Sequence, residues 1–215
     1  MTGSGEPGYC ERMKSFPLLA AMLCSMGCAT SAVGPGRLNH ELLSLAKNAH
    51  GTRKIELHSD QNGTITKMSV YHQDVSRVPE AIRKLAERQF PDSKVISMET
   101  ENYADAGLVY EVEVESPDGK RCEVSALPDA TLRYTECRLS SDGLPAAVSQ
   151  RIAATVPNGT IEELEVLKGP SIAGGEEYRA EVKLGGVEHY LRISPSGELL
   201  RHGIVVPASI EVPIQ

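Results

Sequence analysis

The feature that most constrains this chain is an internal repeat. Val78-Pro79-Glu80-Ala81-Ile82 aligns with Leu144-Pro145-Ala146-Ala147-Val148 at an offset of 66 residues, without gaps as far as Phe90-Pro91 against Val156-Pro157. With small insertions the match continues through Tyr110–Val114 against Tyr178–Val182, then Leu127–Leu132 against Ser194–Leu199. Order, spacing and turn residues are kept together, which chance rarely does, so the chain is expected to fold as two tandem copies of one small module.

Each landmark of the repeat has a physical reading. Pro79 and Pro145 suit the first turn of a helix, where a missing N–H is harmless. Ile82, Leu85, Ala86 and Phe90 follow helical spacing, and the helices are expected to stop at Pro91 and Pro157. Tyr110 to Glu115 and Tyr178 to Lys183 then alternate as half-buried strands with one wet face. Turn signals at Pro117-Asp118-Gly119, Gly185-Gly186 and Pro195-Ser196-Gly197 join such strands as hairpins. The module is therefore α+β: a helix, then an antiparallel sheet of about four strands with the helix packed on one face.

Residues 37–77 read as a partial copy, with an amphipathic helix through Leu38, Leu42, Leu45 and Ala46 and a hairpin from Lys54 to Tyr71 about Asp60-Gln61-Asn62-Gly63. Full copies follow at 78–143 and 144–215, and Val212-Pro213 resembles the stub of another. The second copy begins at Leu144 without a flexible linker, which favours a continuous double module over two separate beads.

Residues 1–36 carry a different signature. Met13-Lys14, the apolar run Phe16 to Met26 and small residues through Ala32 have the layout of a bacterial export signal, and Met13 is a candidate start. The run is too short to span a bilayer, which takes about 20 residues. Gly27-Cys28 resembles a lipobox, although Ser25 stands where that pattern has Leu; two fates remain open, lipidation at Cys28 or cleavage after Ala32 and release. Export permits a disulfide between Cys122 and Cys137 on either side of the turn at Leu127–Ala130. Cys137 is out of phase with Leu132 and Tyr134 unless a bulge intervenes, so separate thiols stay open as well.

The Val/Leu-Pro helix start, the helix ending near Phe-Pro, the Tyr-x-Val-x-Val strand and the hairpin closing on a Pro-x-Gly-like turn resemble the PepSY-like, β-lactamase-inhibitor-protein-like domains of exported bacterial proteins. The resemblance covers about residues 53 to 213. It implies helices on one face of an antiparallel sheet, no catalytic role, no cofactor, and a place in the periplasm or on the outer membrane as a lipoprotein. The partner it implies is another exported protein or enzyme, and the chain is expected to be a monomer. The chain has no Trp, and Met98 or Leu164 stands near the place where members often carry one, so inhibition of β-lactamase itself is not expected.

Composition agrees with a protein partner rather than nucleic acid: the net charge is -7 and no basic block stands out. No nucleophile elbow, phosphate-binding loop or His-Glu-x-x-His occurs. Glu111, Glu113 and Glu115 alternate with Val112 and Val114 and so share one strand face, with Glu99 and Glu101 near. They form a candidate binding face that can hold a hard cation or small ligand, or a simply solvated surface. His189 and His202 flank the last turn. The loops Asn102 to Gly107 and Gly169 to Gly175 occupy equivalent positions in the two copies yet differ in length and charge, as specificity loops on a shared scaffold do.

Overall fold

The apolar positions of the repeat build two helices, α1 (Glu80–Gln89) and α2 (Ala146–Thr155), on one side of an antiparallel sheet. The computed structural model describes residues 52–72 and 74–207. The signal layout, Cys28, the helix expected near Leu38 and the stub at Val212-Pro213 lie outside the described residues. The strands are β1 (Thr52–Ser59), β2 (Ile65–His72), β3 (Lys94–Tyr103), β4 (Gly107–Glu115), β5 (Arg121–Ala126), β6 (Leu132–Arg138), β7 (Thr160–Lys168), β8 (Glu176–Leu184), β9 (Val187–Ile193) and β10 (Leu199–Val205). They pair in chain order as one ten-stranded antiparallel meander. Four strands follow each helix, and Thr135–Arg138 of β6 pairs with Glu165–Lys168 of β7 to join the two groups.

Each helix covers its own core. Ile82, Leu85 and Ala86 of α1 pack on Met98, Val112, Val114, Val124 and Ala126. Val148 and Ile152 of α2 pack on Leu164, Ala180, Val182, Leu191 and Ile193. Cys137, at the rim of the first core, pairs with Val166, at the rim of the second, so both helices lie on the same face. Pro79 and Pro145 are the residues just before the helices rather than inside them, with φ/ψ of -56°/140° and -57°/141°.

The two halves repeat their irregularities as well. Asp92 and Asn158, just after the helices, both sit in the left-handed region at φ 63° and 64°. Ala130 and Gly197, in the turns before the last strand of each group, do so at 64° and 85°. Register shifts fall between Val95 and Ser97 and again between Ile161 and Glu163.

The opposite face of the sheet is not wet at its centre. Glu101, Glu111, Glu136, Glu165 and Glu177 point away from the helices and are 5% exposed or less. Lys54 on β1 feels the charges of Glu181 on β8 and Glu188 on β9. On a flat sheet with strands about 4.8 Å apart, β1 and β8 would be separated by about 34 Å. The sheet is therefore curled, with this face inside and the helices outside. The half-buried strands with one wet face expected from alternation are corrected in this respect, because a period of two tells which residues share a face and nothing about the curvature that closes it.

Candidate functional site

Strand alternation turns polar residues of several strands into the curl, which holds two ion-paired nodes in addition to the Arg192–Glu177 pair. In the first, Glu101 Oε1 accepts from Lys67 Nζ and from Ser69 Oγ at 3.0 Å, and Oε2 accepts from Tyr103 OH at 2.8 Å. Glu111 lies beside it and accepts from Tyr134 OH. Burial alone would push the Lys67 ammonium down, but Glu101, with Tyr103 and Glu111 behind it, holds it above its ordinary value. In the second node, Arg179 on β8 reaches Glu136 Oε1 on β6, 3.1 Å from Nη1, and Glu165 Oε2 on β7 through Nη2. These contacts are set by charge rather than by aligned hydrogen bonds, since neither oxygen, nor Arg179 Nε, closes one.

Carboxylates outnumber cations here, and their protonation shows it. Burial, followed by the charge of Glu111, pushes Glu99 well above the usual carboxylate range and raises Glu101. Burial and the same neighbour raise Glu123 to about 8, against the pull of Arg179. Burial also drives Glu136 well up, although Arg179 opposes it. Glu111 takes the other role in this coupled set: burial is outweighed by a hydrogen bond with Glu99, by Lys67 and by Tyr134, which bring it to about 2.

The two loops singled out in the sequence meet at one end of this interior. Arg133 stacks over Tyr103, with 4.6 Å from its guanidinium carbon to the ring centroid, and over Tyr134 at 5.8 Å. Tyr103 leads directly into the β3–β4 turn. The carbonyl of Arg133 accepts from Ser171 N at 3.1 Å and Ser171 Oγ at 2.9 Å, which ties the Gly169–Gly175 loop to the same residue. Gly169 is required there, because a Cβ at this position would stand 2.5 Å from Tyr134 Cα.

Glu111, Glu113 and Glu115 do share a face, but only Glu111 enters the interior. Glu113 accepts from Ser97 Oγ at 2.9 Å and lies 3.5 Å from Arg121, and Glu115 lies 3.9 Å from the same guanidinium. Glu99, Glu101 and Glu111 each bring one carboxylate oxygen within 4.8 Å of the others. Cross-strand pairing, which sequence spacing does not reveal, brings them together: Glu99 stands opposite Glu111. Lys67, Arg133, Tyr134 and Arg179 were not legible as site residues, since single Lys, Arg and Tyr residues on alternating strands carry no motif. Cys122 and Cys137 stand directly opposite each other and are joined in a disulfide, with a register shift at Ser125/Ala126 realigning the strands. His189 Nδ1 and His202 Nε2 lie 3.0 Å apart at an exposed position.

Residues 79–126 match the PepSY family, described as the peptidase propeptide and YPEB domain. This segment is PepSY-like. The PepSY-like stretch runs from the start of α1 through β5, taking in Glu99, Glu101 and Glu111 but not Arg179. Among solved structures, a BLIP-like protein of Bacteroides fragilis is 24% identical, with 62% of this chain and 91% of that one covered at a TM-score of 0.48. A DUF2874 family protein of Bacteroides uniformis is 15% identical over 59% and 89% at 0.48, and another of Bacteroides ovatus 17% identical over 59% and 86% at 0.46. Comparison with curated proteins yields no match. No helix among the described residues is long and apolar enough to cross a membrane.

Proposed function

We propose that this is a non-catalytic exported protein of the cell envelope that docks a partner protein, an exported peptidase or other enzyme, at the end of the curled sheet marked by Tyr103, Arg133 and Tyr134. One observation carries the reading: the two loops in which the repeats differ converge on Arg133, whose guanidinium lies over two half-buried tyrosine rings. Tyr and Arg in partly desolvated clusters are the residue types that dominate binding energy at protein interfaces. The PepSY match points in the same direction, since its description names a peptidase propeptide.

The two halves are copies of one module on this reading, and the shared left-handed residues and register shifts support it. The copies supply the rigid scaffold, and their unlike loops supply selectivity. The signal layout at residues 13–32 supports export to an oxidising compartment, in keeping with the Cys122–Cys137 bridge. On this reading lipidation at Cys28 holds the protein beside a membrane through one diacylated residue.

The test is affinity purification of the full chain from envelope extracts of its native host after mild crosslinking, with Arg133→Ala and Tyr103→Ala in parallel. A stoichiometric partner retained by the parent and lost about tenfold or more by both variants is expected, as removal of a central anchor gives. Recovery of the parent protein alone, or equal retention by variants that keep the parental circular dichroism, would sink the proposal.

A further inference from the structure

Every strand of the meander has a neighbour on both sides except β1 and β10, and these two edges are finished differently. β1 carries Lys54, Glu56 and His58 in alternation, with Lys54 ion-paired to Glu56, and charge of this kind keeps a sheet edge from taking another strand. β10 reads Leu-Leu-Arg-His-Gly-Ile-Val, and Arg201 is its one charged residue. Of the eight large apolar residues exposed among the described residues, six gather at this end: Leu184, Val187, Leu200, Ile204, Val205 and Val206. Ile204, Val205 and Val206 are 58, 49 and 68% exposed, whereas β1 contributes Leu57 alone. An apolar strand edge left open is a liability that native sheets pair, cover or charge, and β10 is not charged.

The rest of the sheet indicates what such an edge takes. On the reading of the halves as copies, β2, β6 and β10 hold the same place, because Ile65, Leu132 and Leu199 at their starts stand 14, 13 and 14 residues before Pro79, Pro145 and Pro213. β2 gives its outer edge to β3 over Lys67–His72, and β6 gives the same edge to β7 over Thr135–Arg138, each pair antiparallel. For β10 no further strand follows among the described residues.

We propose that a second copy of this chain supplies it: the outer edges of two β10 strands pair antiparallel about a two-fold axis at Gly203, and the sheet runs on through a homodimer. About that axis Ile204 of one copy stands opposite His202 of the other, Val205 opposite Arg201 and Val206 opposite Leu200. The apolar residues are thereby covered and the two Arg201 side chains do not face each other, as they would with the axis at Arg201. A Cβ at Gly203 would meet no atom within 4 Å, so the space beside the axis is open to another backbone. Pairing β10 with β1 of the second copy fits less well, since it sets the apolar strand against Lys54, Glu56 and His58 and propagates from copy to copy without closing. Two-fold pairing closes at two copies. The dimer departs from the monomer that the family resemblance implies.

The experiment is sedimentation velocity of the full chain alone, from about 1 to about 100 µM, with Ile204→Lys and Val206→Lys in parallel. The parent should pass from monomer to dimer across this range and stop there. Each Lys variant should need at least about tenfold more protein to dimerise, as charge on a strand edge gives, while its melting curve at about 1 µM stays parental. A parent that is monomeric throughout overturns the proposal and leaves the edge to a strand of another protein. A monomer that dimerises only after residues 208–215 are removed overturns it in favour of those residues. Growth beyond a dimer overturns it in favour of head-to-tail pairing, and association that both Lys variants keep overturns it in favour of a contact elsewhere on the chain. Only this chain is present, so none of these outcomes decides whether a partner docks at Arg133.

Discussion

Arg179 holds two buried carboxylates of this interior at once. It is the cation that Glu136 and Glu165 share, and it joins β8 to β6 across β7. Its own pKa shows the balance of effects, since burial would lower it and the two carboxylates hold it well above its ordinary value. Removing one partner of a buried ion pair strands the other, at about 3 to 5 kcal/mol. Arg179→Met keeps the volume of the side chain and removes its charge. It is expected to lose stability of that order at pH 8 in urea melts, and to lose clearly less at pH 5, where Glu136 is free to take a proton. An equal loss at both pH values would mean that packing, not charge, is what Arg179 supplies. None of this was legible from the alternation Tyr178-Arg179-Ala180-Glu181, which reads equally well as a solvated strand face. The buried alternative is expressed only when β6, β7 and β8 are placed side by side.

The elements themselves were easier to read. Pro79 and Pro145, the helical spacing from Ile82 to Phe90 and the turn residues placed the helices and hairpins close to where they stand, because start, stop and turn signals act over a few neighbours. The joining of the two groups through β6 and β7 was not available, since strand pairing between copies depends on curvature and register rather than on local pattern. The repeat still makes a sharp comparison between elements. The turn before β6 has Ala130 at φ 64°, while its counterpart before β10 has Gly197 at 85°. A Cβ on Gly197 would meet the Ala147 carbonyl oxygen of α2 at 2.8 Å, and the Gly197 carbonyl accepts from Arg151 Nε at 2.7 Å. Gly197→Ala therefore adds left-handed strain to a clash with backbone, and a loss of about 2 kcal/mol is expected as a lower urea midpoint at unchanged slope. Ala130→Gly relieves the same strain in the other copy but loosens the unfolded chain, so the two effects nearly cancel and a change within about 0.5 kcal/mol is expected. Equal losses from both substitutions would mean that the close approach of Gly197 to α2 is not what distinguishes the two turns.

At the scale of the whole molecule, the curled face turns ten strands into one titrating unit. Glu123 in the first half feels Arg179 in the second, and Lys67 on β2 acts on Tyr190 on β9. The pH dependence of stability therefore belongs to the fold as a whole and has a definite sign. Glu99, Glu101 and Glu136 are raised and Glu123 stands at about 8, so the folded state keeps protons that the unfolded chain releases near the ordinary carboxyl value of 4.5. Their contribution is complete below about pH 4.5 and is lost as the pH climbs toward 8. Glu111, lowered to about 2, and Glu56, lowered by Lys54 against its burial, have the opposite sign: their contribution is complete above about pH 4.5 and is lost on acidification. The two slopes meet in mildly acidic solution. In metal-free buffer the melting temperature should peak near about pH 5 and fall by about 5 °C or more by pH 8, a change of roughly 2 kcal/mol for a chain of this size. Differential scanning calorimetry across pH 3 to 9 reads this directly. A melting temperature that climbs steadily from pH 5 to pH 8 would mean that the interior carboxylates are ionised and matched throughout, and would remove the proton as the ion that balances them.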